Sequence, residues 1–312
     1  MKILEKNKDI TPLSNFKTPA VARYYFEVRD NEDVDRIFDI VQFAKENELN
    51  VLFVWGWTNM LFAFDVFEWI VIKNCLEWWI YNEKSKILET SSNDNIREIA
   101  ESLEKDYGQD LWHRFIGLPG SVWGAVFGNA GCFWLEIENN FVSAKVLDLS
   151  TWEIKTLDKE EMIFSYRTSL LKQYEGQYFL INTEFDLSTK IEKYHSDVDN
   201  IYFREHKQPK GNTCGSFFKN PVVSLSWFKR DYPDYYSEGM KIVSSGFLLE
   251  KSWLKGHKIW WAFFSPLHAN FLMSDWTAKS QDLLDLIDYA QKVVFNKFWI
   301  TIENEVRIIT ND

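Results

Sequence analysis

The chain has 312 residues, 46% of them hydrophobic, and a formal net charge of −11 at pH 7, so two or three domains are expected and neither nucleic acid nor an anionic membrane is the expected partner. No run of 18 uncharged apolar residues occurs, which excludes a predicted transmembrane helix. The opening Met1-Lys2-Ile3-Leu4-Glu5-Lys6 lacks the apolar stretch of a secretory signal, making the cytoplasm the expected compartment.

Apolar residues at Val34, Ile37, Phe38, Val41 and Ala44 mark one face of a helix within Asn31 to Leu49, with Asp30 or Asn31 as its cap. It leads into a strand over Val51–Val54, then a turn at 55–59 and a short strand over Ile70–Ile72. A helix is predicted over Asn95–Lys105, and strands over Phe141–Leu149, Glu153–Leu157 and Tyr178–Phe185. The polar stretch Ser188–Asp199 reads as a boundary. Beyond it, Leu283, Leu284, Ile287, Ala290, Val293 and Val294 define a long helix over Gln281–Phe298, with Thr277 available as cap and strands over Ile300–Ile302 and Val306–Ile309 after it. Cys75, Cys132 and Cys214 show neither CxxC nor Cys/His spacing, so no disulfide framework and no metal site are expected.

Tryptophan is anomalous in both number and position. There are 15 tryptophans and only 13 glycines, whereas glycine is normally about 7% of a chain. Thirteen or so of the tryptophans stand where neighbouring residues call for glycine, most plainly at Val54-Trp55-Gly56-Trp57-Thr58-Asn59, Val122-Trp123-Gly124, Ile259-Trp260-Trp261-Ala262 and Lys297-Phe298-Trp299-Ile300. Trp227 and one of Trp78 and Trp79 have no glycine counterpart. Glycine serves where φ is positive or where backbone approaches a ligand, and a left-handed conformation costs another residue roughly 1–2 kcal/mol. Ten such substitutions would consume a typical stability of about 5–15 kcal/mol. The excess is therefore read as UGA codons that mean glycine and were translated as tryptophan.

With 55 and 57 taken as glycine, residues 55–59 become a loop whose backbone N–H groups suit a pyrophosphate. A second loop, Gly117–Gly131, holds five glycines in fifteen residues, and a dinucleotide lying between the two would account for both. No Gly-x-Gly-x-x-Gly fingerprint of a Rossmann site appears.

These loops, together with Phe164-Ser165-Tyr166-Arg167, Gly215-Ser216-Phe217-Phe218-Lys219-Asn220-Pro221, Ser265-Pro266-Leu267-His268-Ala269-Asn270-Phe271 and Glu305-Val306-Arg307-Ile308-Ile309, resemble the UDP-N-acetylenolpyruvoylglucosamine reductase family over nearly the whole chain. The chain resembles the shorter second type, having no long insertion between Tyr232 and Gly246. It departs mildly in the closing motif, where Asn304 directly precedes Glu305 and the family's earlier proline is missing.

The resemblance implies an α+β flavoprotein. Its FAD-binding portion is of the two-part p-cresol-methylhydroxylase type, with subdomains at 1–73 (to which 300–312 return) and 74–201, and a substrate-binding domain covers 202–299. It implies FAD, with NADPH as reductant, a UDP-sugar enolpyruvate as substrate, and a monomer. Cofactor contacts fall on Trp55, Gly56, Trp57, Thr58, Asn59, Gly117, Gly120, Ser121, Trp123, Gly124, Ala125 and Asn129. Substrate contacts fall on Tyr166, Arg204, Lys207, Lys219, Asn220, His268 and Asn270. The catalytic residues it implies are Arg167, Ser216 and Glu305. Reduction of an enolpyruvyl ether builds charge on the substrate carboxylate, which a bidentate arginine stabilises. Ser216 is the implied proton donor, although an alcohol is a weak acid and needs neighbours or a relay. The alternatives are a related flavin oxidoreductase with another substrate or, were the tryptophans real, a non-catalytic nucleotide-sugar binder of the same fold.

Overall fold

The computed structural model describes residues 1–55, 59–118, 120–189, 202, 206, 208–223, 226–237 and 241–311. Its contacts divide the chain into one unit of Met1–Lys8, Ala22–Thr58 and Phe67–Arg204, and a second of Asp9–Val21, Asn59–Val66 and Glu205–Asp312. The class is α+β.

The first unit holds two sheets. In the smaller, the strands run in the order Glu5–Asp9, Val21–Val28, Val66–Asn74, Val51–Val54, and the last two are parallel, with Val51 opposite Ile70 and Val54 opposite Lys73. The intervening helix, Asn31–Glu46, starts where the Asp30 carboxylate accepts from the Asp33 N–H. It buries Val34, Ile37, Ile40 and Ala44. Phe38, expected on that face, is exposed and meets the Trp152 ring edge-on at 4.8 Å. Ile40 takes its place in the core because it lies closer to the line through Ile37 and Ala44 at 100° per residue.

The larger sheet is antiparallel in the order Glu153–Asp158, Phe141–Asp148, Tyr178–Asp186, Ile87–Ser91, Trp79–Asn82. The helix Ile96–Tyr107 is capped by Asn95, whose side chain accepts from the Arg97 and Glu98 N–H groups, and it ends at Gly108 with φ 62°. Residues of both sheets share one hydrophobic core.

The second unit packs the helix Ser280–Phe298 and the three-stranded meander Lys258–Ile259, Ala262–Phe264, Leu272–Ser274 around Phe217, Phe218, Phe264, Leu248 and Leu283. Thr277 does not cap this helix. Its hydroxyl donates to Asp275, and Asp282 instead accepts from the Lys279 N–H at 3.0 Å. Of the two closing strands only Arg307–Ile309 forms, in parallel with Met60–Phe62. Residues 300–302 stay irregular because the Ile302 carbonyl accepts from the Gln291 side chain. The strand partner of 307–309 thus lies within 1–73, yet the pair groups with the second unit. Most of the stretch expected to be a boundary, Ser188–Asp199, lies outside the described residues.

Candidate active site

In the first unit, the strand Val51–Val54 runs directly into Trp55, and the second glycine-rich loop leads into the short helix Val122–Phe127. The Trp55 and Trp123 indoles stack face to face, with ring centroids 3.9 Å apart and planes 3° from parallel. Both are buried, and the Trp55 Nε1 has no hydrogen-bond partner, a costly state for a buried donor. Three N–H groups at the helix start are already paired: Val122 donates to Asp94 O at 2.9 Å, Trp123 to Ser92 O at 2.7 Å and Gly124 to Ser121 Oγ at 3.4 Å. Gly120, at φ 132° with open space where a Cβ would stand, marks where a ligand can approach backbone. Gly117 also has positive φ, and Ala125 is buried. At this loop only Gly120 is seen with open space beside it, while the three N–H groups at the helix start are spent within the chain and the two indoles fill the room between them.

Asn129 lies at φ 41° and is buried. Its amide nitrogen donates to Glu136 Oε2 at 3.3 Å and to Ser165 O at 3.2 Å, and its oxygen accepts from the Glu138 N–H at 3.2 Å. It thereby ties the 131–138 hairpin to the turn that carries Tyr166 and Arg167. Arg167, at φ 55°, donates from Nη1 to Gly131 O at 3.3 Å and lies 5.8 Å from the centroid of the half-exposed Tyr166 ring. Burial, with the carboxylate of Glu138 adding to it, pushes the Glu136 carboxyl above its usual range, and the nearby Arg167 charge opposes the shift.

In the second unit, the segment Ser216–Phe218 lies between two others. On one side Ser216 bridges to Phe271, and the Phe217 N–H donates to Asn270 O at 2.7 Å. On the other, Phe218 bridges to Asn304, and the Glu305 N–H donates to Phe217 O at 2.7 Å. Ser216 is exposed while Phe217 and Phe218 are buried, so the two rings anchor the segment and leave the hydroxyl outside. The Asn270 side chain accepts from the Phe218 N–H at 3.0 Å and donates to Phe218 O at 2.8 Å, completing a two-bond clamp. Asn59 reaches the same region, its side-chain amide donating to Glu305 O at 3.4 Å and its backbone carbonyl accepting from the Arg307 N–H at 3.0 Å. Ser216, Glu305 and Asn59 are thus gathered by backbone pairing, whereas Arg167 belongs to the first unit.

Residues 207–309 match the family profile described as UDP-N-acetylenolpyruvoylglucosamine reductase, C-terminal domain. The chain is 28% identical to the UDP-N-acetylenolpyruvoylglucosamine reductase of Bacillus pumilus, over 99% of this chain and 94% of that one, and 29% identical to that of Caldicellulosiruptor saccharolyticus, over 97% and 91%. Over nearly its whole length the chain is thus similar to UDP-N-acetylenolpyruvoylglucosamine reductases. Its fold also matches the crystal structure of the Thermus caldophilus reductase, with a TM-score of 0.73 over 98% of this chain and 99% of that one at 19% identity.

The remaining family positions divide by what their side chains already do. Lys219 pairs with Glu303 at 3.3 Å, and the Asn220 carbonyl accepts from the Ser245 N–H at 2.9 Å. The Ser245 hydroxyl donates to Lys219 O. His268 Nδ1 accepts from the Asn270 N–H at 3.2 Å, and burial holds its pKa below the ordinary histidine value. Gly56, Trp57, Thr58, Arg204 and Lys207 lie outside the described residues. The clamping roles of Asn270 and Asn129 were missed by sequence reasoning, because each works through bonds to distant backbone that no local pattern announces.

Proposed function

We propose that this chain catalyses the NADPH-dependent, FAD-mediated reduction of UDP-N-acetylglucosamine enolpyruvate to UDP-N-acetylmuramate, a step of peptidoglycan precursor synthesis in the cytoplasm that serves wall growth, cell shape and division. The observation that carries the reading is the exposed Ser216 hydroxyl on a segment whose bonded neighbour bears Glu305, within the part of the chain that matches the family's C-terminal domain. Segments 1–73 and 74–201 are proposed as the two parts of a p-cresol-methylhydroxylase-type FAD domain, and 202–299 as the substrate domain of a monomer.

When bound, the flavin supplies the hydride. The chain's own residues bind, orient and supply the proton. Ser216 is proposed to give its hydroxyl proton to the carbon beside the one that receives the hydride, and to recover a proton from solvent. Since an alcohol is a poor acid, its placement supplies much of the advantage. Arg167 is proposed to bind the substrate carboxylate, which gains charge as the hydride arrives, so that a fixed cation favours the transition state over the ground state. Glu305 is proposed to assist the proton movement, and Tyr166, Arg204, Lys207, Lys219 and Asn220 to hold the sugar nucleotide.

A Ser216→Ala variant tests the assignment. It should bind FAD and accept electrons from NADPH at the parent rate, yet its reduced flavin should be reoxidised by the enolpyruvyl sugar nucleotide roughly 10²–10⁴-fold more slowly. Normal turnover in that variant would refute the role of Ser216.

A further inference from the structure

Among the described residues, fourteen other than glycine have positive φ, and five of these are tryptophans: Trp134 at 67°, Trp152 at 62°, Trp253 at 62°, Trp260 at 50° and Trp299 at 55°. Tryptophan makes up only 15 of the 312 residues, so its share of this region is far above its share of the chain. Each stands at a turn position that favours glycine.

Trp253 follows the helix Ser245–Lys251 and its cap Ser252. Its N–H donates to Glu250 O at 3.1 Å and the Leu254 N–H to Leu249 O at 3.0 Å, the paired bonds of a helix ending built on a left-handed residue, usually glycine. Trp299 ends the helix Ser280–Phe298 by donating to Phe295 O at 2.8 Å. A true glycine, Gly108, ends the helix Ile96–Tyr107 in the same way, at φ 62°, donating to Glu104 O at 3.1 Å.

The hairpins repeat the pattern. Trp260 and Trp261 form the two-residue loop between the paired Ile259 and Ala262, and Phe133 and Trp134, both at positive φ, form the loop between the paired Cys132 and Leu135. Two-residue loops of this kind select Asn-Gly or Gly-Gly because the strand twist requires φ > 0. Trp152 closes the loop between Asp148 and Glu153, its N–H donating to Asp148 O at 2.7 Å.

Nor does burial compensate, since Trp134, Trp253, Trp260 and Trp299 are 71–86% exposed. Trp227 behaves differently: it lies within the helix Ser226–Asp231 and sets its ring edge-on to Phe228 at 5.5 Å. Trp55 and Trp123 add an independent sign: their indoles stack face to face in the interior, and the buried Trp55 indole N–H is left unpaired.

We propose that the native protein carries glycine at positions 55, 123, 134, 152, 253, 260 and 299, that the codon at each is UGA read as glycine, and that Trp227 is a true tryptophan encoded by UGG. This stands apart from the proposed activity, since it concerns which residues the cell inserts. With glycine at 55 and 123, the space that the two stacked indoles fill in the first unit opens.

The test is peptide mass spectrometry of the protein isolated from its source cells, together with the gene's nucleotide sequence. Peptides spanning the seven positions should each be lighter than the written sequence by the tryptophan–glycine mass difference per site, from UGA codons, while the Trp227 peptide keeps tryptophan. Tryptophan masses at the seven positions, or UGG codons there, would overturn the proposal. Neither result depends on whether the protein reduces any substrate.

Discussion

Replacing Trp253, Trp260 and Trp299 together by glycine should make the protein more stable, the opposite of what deleting three large apolar side chains normally does. Each backbone lies in the left-handed region, at 62°, 50° and 55°, where a residue with a Cβ carries a penalty of roughly 1–2 kcal/mol. Against this, glycine loses more chain entropy on ordering, about 0.5–1 kcal/mol. Little apolar burial is lost, because the three side chains are 86%, 71% and 79% exposed, although Trp299 gives up a ring contact with Phe295 at 5.6 Å. The net is about 2 kcal/mol for the three, or roughly 4–8 °C in the unfolding midpoint at 2–4 °C per kcal/mol. Differential scanning calorimetry of the triple variant beside the written sequence reads this directly. Trp227→Gly is the control: it removes a ring packed on Phe228 from the first turn of the short helix Ser226–Asp231 and should lower the midpoint. A triple variant that melts at or below the written chain would refute the reasoning.

Asn270→Ala strips both bonds from the buried Phe218 backbone, at about 1–3 kcal/mol for each group left unpaired; kcat should fall more than FAD binding, and equal loss of both would show general unfolding instead. Asn129→Ala should loosen the turn bearing Arg167 and raise KM for the sugar nucleotide while leaving the second unit's stability unchanged, which hydrogen exchange can resolve by region. The Asp148 carboxyl is held down to about 2 against burial by hydrogen bonds from Lys155 and Ser150. Its folded pKa lies below its unfolded one, so its contribution is present above about pH 4 and is lost as pH falls toward 2. Asp148→Asn should therefore destabilise by up to about 2 kcal/mol at pH 7, less what solvent screens at the part-exposed Lys155, with the difference vanishing near pH 2 in urea titrations. A pH-independent difference would mean that the charge is irrelevant.

Much of the fold was legible because local chemistry announces it. Asp30 and Asn95 cap the helices that follow them, the apolar spacing from Leu283 to Val294 gives the long helix, and the left-handed ending at 299 was readable as a glycine position. Thr277 was misread because a nearer acceptor, Asp275, takes its hydroxyl, and the cap role passes to a carboxylate inside the helix. The parallel pairing of Arg307–Ile309 with Met60–Phe62 joins segments far apart in sequence, so no turn or periodicity could signal it. For the candidate site, the motifs pointed to Ser216, Glu305 and Arg167, of which backbone pairing gathers the first two. That Asn270 serves backbone at Phe218, and Asn129 the turn at Ser165, emerges only from tertiary bonds.

The central claim is most directly tested by making the chain with glycine at positions 55, 57, 123, 134, 152, 253, 260, 261 and 299, loading it with FAD, and following NADPH oxidation with and without UDP-N-acetylglucosamine enolpyruvate. Oxidation that depends on the sugar nucleotide and yields UDP-N-acetylmuramate mole for mole is the predicted result. A flavin-loaded protein that oxidises NADPH at the same rate in its absence, and forms no muramate product, would contradict the account.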